Sequence, residues 1–281
     1  MYDKRVQWIY SSIDTLLSFV RVLFSSHLKK TERIQKKQEK CILLGNGPSL
    51  LTTMQKYENM LSDYDLIAVN QMAITDTFEK YKPTVYVFVD PAYWYEKGHE
   101  DSFHQADELF EALTKKTNWH LQLYMPYQAN NRKVTDQLCK NSFIKIVFYN
   151  KTTFNGFRNI SHFIFNRQWG MPQPRNVLIS ALMLLIHSKY KTIYLAGADT
   201  NWMKDIWVDE CNKVRIHDSH FYQENNENDR FFPFSMPELS MVFFHIFNSY
   251  SVIEEYSKHN KIKIYNLYSR SFIDAFEKYT Y

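Results

Sequence analysis

The chain has no cysteine pairing to build on. Cys41, Cys139 and Cys211 are odd in number and widely spaced, with no C-x-x-C among them. That excludes a disulfide framework and fits a reducing cytoplasm. A membrane span is missing too: the apolar pattern near the N-terminus is interrupted by Asp14 and Arg21, too polar for a bilayer core. The small-residue cleavage site of a signal peptide is absent there. Neither G-x-G-x-x-G nor a Walker loop occurs, and there is no internal repeat or low-complexity linker. The body also lacks a charge of one sign. The formal net charge is +4, but residues 1–40 hold nine Lys/Arg against four Asp/Glu, and the remaining residues hold 25 against 26. A nearly neutral body excludes a general nucleic-acid footprint.

What is present begins with size: 281 residues can bury a substantial core. Aromatic residues make up 17%, a surplus that either fills a core or lines a sugar or nucleotide pocket. Near the N-terminus, Val6, Ile9, Tyr10, Ile13, Leu16, Leu17, Val20, Leu23 and Phe24 recur in steps of three and four, which predicts an amphipathic helix. Lys29, Lys30, Arg33, Lys36, Lys37 and Lys40 follow. An apolar stripe before a basic tract suits the plane of an anionic membrane surface, here the inner face of the cell membrane. Packing of the helix on the body or on another subunit, as in a homo-oligomer, stays open beside it.

From residue 40 on, apolar runs alternate with helical stretches. Strands are expected at Lys40–Leu44, Leu66–Val69, Val85–Val89, His120–Met125, Phe143–Phe148, Thr192–Ala196 and Lys261–Tyr265. Helices are expected near Ser49–Leu61, Ala73–Tyr81, Asp101–Lys116, Lys133–Cys139, Asn176–Ser188 and Pro237–His259, with Ser269–Lys278 as a closing helix. This alternation predicts an α/β fold with a doubly wound, mostly parallel sheet. Two long polar-aromatic stretches, 150–173 and 200–236, break it and read as lid or acceptor loops over the strand ends, where open α/β sheets bind ligands.

The first expected strand runs into Gly45-Asn46-Gly47-Pro48-Ser49. The glycines permit tight turning and close backbone approach. Pro48 suits the first turn of a helix, whose N-terminus offers N–H groups to an anion. Asn46 adds an amide that donates and accepts. Other strand ends carry Asn70-Gln71, Asp90 and Asp199. Amides and carboxylates along one sheet edge suit a pyrimidine base or a ribose. A proton acceptor could come from His217 or His220 in "RIHDSHFYQEN", since histidine titrates near neutrality. His-x-x-His without a third ligand nearby is a weak zinc signature, so no metal site is expected.

These residues resemble the bacterial sialyltransferases of glycosyltransferase family 42. The likeness rests on G-N-G-P-S-L at 45–50, Asn70-Gln71, I-Y-L-A-G-A-D at 193–199, Ser219-His220-Phe221 and the closing "KIKIYNLYSRSFIDAF". Flagellin-modifying proteins and a pterin diphosphokinase-like family share a similar first loop. The resemblance implies a single Rossmann-like, GT-A-like glycosyltransferase domain over 41–281. It implies inverting transfer of sialic acid from CMP-sialic acid to a galactoside in surface glycan synthesis, with no metal and no other cofactor. The partners would be a CMP-activated sugar donor and a glycan or glycolipid acceptor. Asn46 and Asn70 would hold the CMP ribose, phosphate or sugar, and Asp199 would face the cytidine or ribose. Asp90 stands where the family has an Asn. Arg175 and Asn176 match the family's R-x-T-S-G segment across a one-residue gap. Asn201 and Trp207 occupy the places of two family tyrosines, with Tyr222 or Trp202 as substitutes. The general base would be His220, with His217 and Glu224 as alternatives. Transfer of another CMP-activated acidic sugar, a pterin-type diphosphokinase and a non-catalytic nucleotide-binding protein remain the competing readings.

Overall fold

A computed structural model describes residues 4–94, 100–130, 132–217, 229–231 and 233–280. The chain opens with α1 (Lys4–Ser25), then β1 (Lys40–Leu44), α2 (Leu50–Lys56), α3 (Glu58–Leu61), β2 (Asp65–Val69), α4 (Asp76–Tyr81) and β3 (Val85–Val87). It continues through α5 (Glu100–Lys116), β4 (Leu121–Pro126), α6 (Arg132–Leu138), β5 (Ile144–Tyr149), α7 (Arg158–Asn166) and α8 (Val177–His187). It closes with β6 (Thr192–Ala196), β7 (Ile206–Val208), β8 (Val214–His217), β9 (Asp229–Phe231), α9 (Met236–His259), β10 (Lys263–Asn266) and β11 (Glu277–Lys278). The mostly parallel α/β architecture expected from the alternation is what forms. Among the described residues no helix is long and apolar enough to cross a membrane.

Two compact units share the chain: Met1–Gln35 with Thr84–Ser188, and Lys36–Pro83 with Lys189–Tyr281. In the second unit five strands lie in the order β11-β10-β6-β1-β2, all parallel. Apolar β1, β2 and β6 are buried along nearly their whole length, as strands covered on both faces must be. From β1 the chain moves to β2 on one side, while β6 pairs with β1 on the other. The strand order therefore reverses between β1 and β6, the topological switch point where open α/β sheets place ligands. Buried Asp65 stands at the entry to β2. Its Oδ2 accepts from the Tyr190 hydroxyl at 2.7 Å and from the N–H groups of Lys37 and Gln38 at 3.0 and 3.2 Å. It ties down the segment that leads into β1.

In the first unit β3, β4 and β5 pair in parallel. Helix α8 is apolar on every side, and all ten residues Val177–Ile186 are buried, as expected of a helix with no polar stripe. The stretch 150–173 carries α7 and an isolated bridge between Thr153 and Met171. Part of the aromatic surplus fills the core: Tyr86, Tyr124, Tyr149, Phe88, Phe110, Phe154 and Phe165 here, and Tyr57, Tyr190, Tyr250, Tyr256 and Phe78 in the second unit, are fully buried.

Three local expectations need correction. The helix expected over Ser49–Leu61 is two short helices, broken at Tyr57 (φ −114°, ψ 30°), whose ring is buried against Tyr279. Ser269–Lys278 is not a helix. Ser271 Oγ donates to Ala198 O at 2.6 Å, and Lys278 Nζ donates to the carbonyls of Ser271 and Ile273. Side chains answer these carbonyls in place of the helical N–H groups, and Ile273 and Phe276 are buried. Residues 206–217 form a hairpin rather than irregular loop. Asp209 Oδ1 accepts from the N–H groups of Cys211 and Lys213, Asn212 takes φ +57°, and Arg215 Nε reaches Asp209 Oδ2 at 2.7 Å.

Candidate functional site

The Gly45–Ser49 turn leaves β1 at the switch point and meets the turn leaving β6. Gly45 N–H donates to Ala196 O at 2.8 Å and Gly47 N–H to Gly197 O at 2.9 Å. The backbones are too close for side chains. A Cβ on Gly45 would lie 2.5 Å from Gly197 O, and one on Gly47 would lie 2.0 Å from Asp199 Oδ2. Gly197 has φ +64°, and a Cβ there would lie 2.6 Å from Gly45 O. The glycines are thus required by each other and by Asp199.

Asp199 is only 2% exposed. Its Oδ2 accepts from Ser49 Oγ at 2.7 Å. Burial pushes its pKa up; the Ser49 hydroxyl, then the backbone N–H groups of Ser49 and Asp199 itself, then Lys204 at longer range, pull it back. The turn that reads as an anion cradle therefore holds an anion of its own chain. The Asp199 backbone is clamped in turn: its carbonyl accepts from Phe272 N–H at 2.9 Å, and the neighbouring Ala198 carbonyl accepts from Ser271 Oγ and Asn266 Nδ2.

Pro48 lies one turn earlier than expected. Leu50 N–H donates to Gly47 O at 3.0 Å, so Pro48 occupies the second position of a β-turn, which its fixed φ favours. The helix begins only at Leu50.

Two acceptors stand out at this edge. Asn46 Oδ1 and Asp199 Oδ1 are buried and meet no hydrogen-bond donor among the described residues. A buried acceptor without a donor costs roughly 1–3 kcal/mol. A ligand carrying hydroxyl or amino protons would satisfy both. Asn70 and Gln71 follow β2, the strand beside β1, and are half-buried at the start of a 3-10 turn. Asn70 takes φ +48°, which asparagine tolerates. Thr200 takes φ +47° and is buried. A β-branched residue there is strained, and such strain clusters at functional sites. Nothing in the sequence marks Thr200, because a threonine after Asp199 carries no signature of its conformation.

The remaining candidates lie on other elements. Asn201 precedes the 3-10 turn Trp202–Asp205, and its carbonyl accepts from Lys204 N–H. Trp202 packs on Phe243 with ring centroids 4.7 Å apart, in a cluster with Val214 and Leu239. Trp207 is exposed on β7. In the first unit, exposed Asp90 caps the turn Pro91–Tyr93 by accepting from Ala92 N–H at 2.9 Å. Asn176 is the N-cap of α8, accepting from Leu178 N–H at 2.8 Å, and Arg175 beside it is exposed. His217 lies on β8; His220, Tyr222 and Glu224 fall outside the described residues. Asp63-Tyr64-Asp65 has D-x-D spacing, but Asp65 sits at the amino end of β2 and is engaged as a strut. No group of three His, Cys, Asp or Glu among the described residues is arranged to hold a metal ion.

No protein-family model and no curated protein matches the chain. Solved structures do. The sialyltransferase CstII from Campylobacter jejuni, in complex with the substrate analogue CMP-3FNeuAc, is 16% identical with a TM-score of 0.45, covering 86% of this chain and 86% of that one. An alpha-2,3-sialyltransferase from Campylobacter jejuni in apo form is 15% identical with a TM-score of 0.43, covering 88% of this chain and 82% of that one. The MAf glycosyltransferase from Magnetospirillum magneticum AMB-1 is 10% identical with a TM-score of 0.52, covering 95% of this chain. This chain spans 38% of the length of that protein. The likeness to the Magnetospirillum protein shows a shared fold.

Proposed function

We propose that the protein is a glycosyltransferase that takes an acidic sugar, sialic acid foremost, from a CMP-activated donor. The observation that carries this reading is the pair of buried acceptors at the β1/β6 switch point, Asn46 Oδ1 and Asp199 Oδ1, without donors among the described residues. A nucleoside offers what they lack: ribose hydroxyls and the exocyclic amine of cytosine. Asn70 and Gln71, on the neighbouring strand end, extend the same polar edge. The residue pattern shared with family 42 sialyltransferases favours CMP over other nucleotides.

In the proposed reaction the acceptor hydroxyl oxygen attacks the anomeric carbon of the sugar. The new C–O bond forms as the bond to the CMP phosphate breaks, and that electron pair leaves with the phosphate. Inversion follows from the single displacement. The hydroxyl proton goes to a base, which we assign to His220. An imidazole with a pKa near neutral is free to accept at working pH. In this reading hydrogen-bond donors, and no metal, stabilise the charge on the departing phosphate. The acceptor would be a galactoside of a surface glycan, and the cytoplasm the compartment that supplies the donor.

The test is CMP release from CMP-sialic acid in EDTA, with and without a terminal β-galactoside. Acceptor-dependent release is expected. Tight CMP binding without release would move the reading to another CMP-activated acidic sugar. Neither release nor CMP binding would overturn it and bring an ATP-dependent diphosphokinase forward.

A further inference from the structure

Helix α1 docks by its hydroxyl face. Thr15 Oγ1 accepts from Phe157 N–H at 2.9 Å, and Ser18 Oγ accepts from Asn155 N–H at 2.9 Å. Arg21 reaches the Thr153 carbonyl at 3.3 Å, and Val22 is buried beside them. Gly156, at φ +130°, lets the helix come this close: a Cβ there would lie 2.0 Å from Thr15 Oγ1. Phe19 and Trp8 flank the contact, against Phe154 and Phe157. These bonds fix the rotation of α1 about its axis. The helix cannot roll to bury its other side without losing them.

The other side is apolar. At 100° per residue, Ile9, Ile13, Leu16, Val20, Leu23 and Phe24 fall on one arc opposite Thr15 and Ser18. All six are exposed, Leu16 at 66%, Leu23 at 76% and Phe24 at 86%. The 22-residue helix is about 33 Å long, so the arc is a continuous apolar strip, far beyond scattered surface hydrophobes. Asp14 and Arg21 lie off it. Immediately beyond the helix, Lys29, Lys30 and Arg33 are exposed.

We propose that α1 lies in the plane of an anionic lipid bilayer, with the strip in the acyl boundary and Lys29, Lys30 and Arg33 on the headgroup charge. Charge complementarity selects this occupant. A bilayer supplies the negative surface that the cationic tract needs. A second copy would bring the same excess of Lys and Arg over this segment, nine against four. The proposal rests on α1 alone and is independent of the donor reading.

The experiment is flotation of the full chain with phosphatidylcholine vesicles containing one third phosphatidylglycerol, at physiological ionic strength. The wild type is expected to float, and less so with pure phosphatidylcholine. The triple variant Leu16→Gln, Val20→Gln, Leu23→Gln changes only exposed side chains and should keep its unfolding midpoint while losing flotation. Lys29→Gln, Lys30→Gln, Arg33→Gln should lower partitioning into anionic vesicles roughly a hundredfold. A wild type that stays below the gradient overturns the proposal, as does an apolar triple variant that floats like wild type. A wild-type dimer by sedimentation, dissociated by the apolar triple variant and indifferent to lipid, would assign the strip to a second copy instead.

Discussion

Asp199→Asn separates what the carboxylate does for the fold from what it does for a ligand. In the fold it accepts from Ser49 Oγ at 2.7 Å. An asparagine oxygen can take the same bond without the charge. Ser49 also brings its backbone N–H to this carboxylate, so the amide oxygen belongs on that side and the NH₂ turns to the position of Oδ1. The lost charge assistance costs about 1 kcal/mol. Against it stands the relief of burying a neutral group where burial now disfavours the charge. The two effects oppose each other, and urea unfolding should give a stability within about 1 kcal/mol of wild type.

The ligand side has no such compensation. A nucleoside hydroxyl or amine that donates to Oδ1 would face an NH₂ group instead. Hydrogen bonds to charged acceptors contribute about 1.5–3 kcal/mol, so CMP affinity by calorimetry should fall by roughly 10-fold to 150-fold. A variant that binds CMP like wild type would refute the assignment of Oδ1 to the donor. Stability falling by more than about 3 kcal/mol alongside the affinity would show that Asp199 is a strut only. The sign of the pH dependence gives a second check. The folded-state pKa lies above the ordinary 3.8, so between those two values the native state binds more protons than the unfolded chain. Its contribution is fully present below 3.8 and is lost as pH rises through the folded pKa. The stability of wild type relative to Asp199→Asn should therefore be greatest in acid and decline across that window.

Other substitutions test neighbouring claims. Gly197→Ala puts a Cβ 2.6 Å from Gly45 O at φ +64°, and should cost about 2–4 kcal/mol by thermal or urea unfolding; an unchanged midpoint would contradict the backbone packing. Thr200→Asn relieves a β-branched residue at φ +47° and should stabilise by about 0.5–1 kcal/mol; a loss would mean that its side chain beside Tyr250 matters more than the strain. Asn176→Ala removes the α8 N-cap and should cost about 1 kcal/mol with CMP affinity intact; a selective loss of affinity would return Asn176 to the donor site.

The strands were legible because β1, β2 and β6 are short apolar runs between helical patterns, a signal that burial on both faces makes strong. The β7–β8 hairpin was not, since its turn is built by Asp209 Oδ1 and by Asn212 at positive φ, and neither follows a standard two-residue turn pattern. The region from Ser269 to Lys278 misled for a related reason: Phe272 and Phe276 stand four apart like a helix face, yet Phe276 and Ile273 are buried by a chain that folds around Ala198 and Asn266.

The site shows the same division. Gly45, Asn46, Gly47, Ser49 and Asp199 are brought together, which their common placement after strands foretold. Their roles differ from the expectation in one physical respect. A glycine-rich turn before a helix suggests N–H groups left open for phosphate, but here Gly45 and Gly47 donate to the carbonyls of Ala196 and Gly197, and Ser49 serves Asp199. Strand order decides this, because only the adjacency of β1 and β6 sets one turn against the other. What the edge leaves without a donor among the described residues is two buried acceptors, Asn46 Oδ1 and Asp199 Oδ1. Acceptors select for protons on the ligand. The sugar and base of a nucleotide therefore have more to gain at this edge than its phosphate, whose oxygens need donors from elsewhere on the protein.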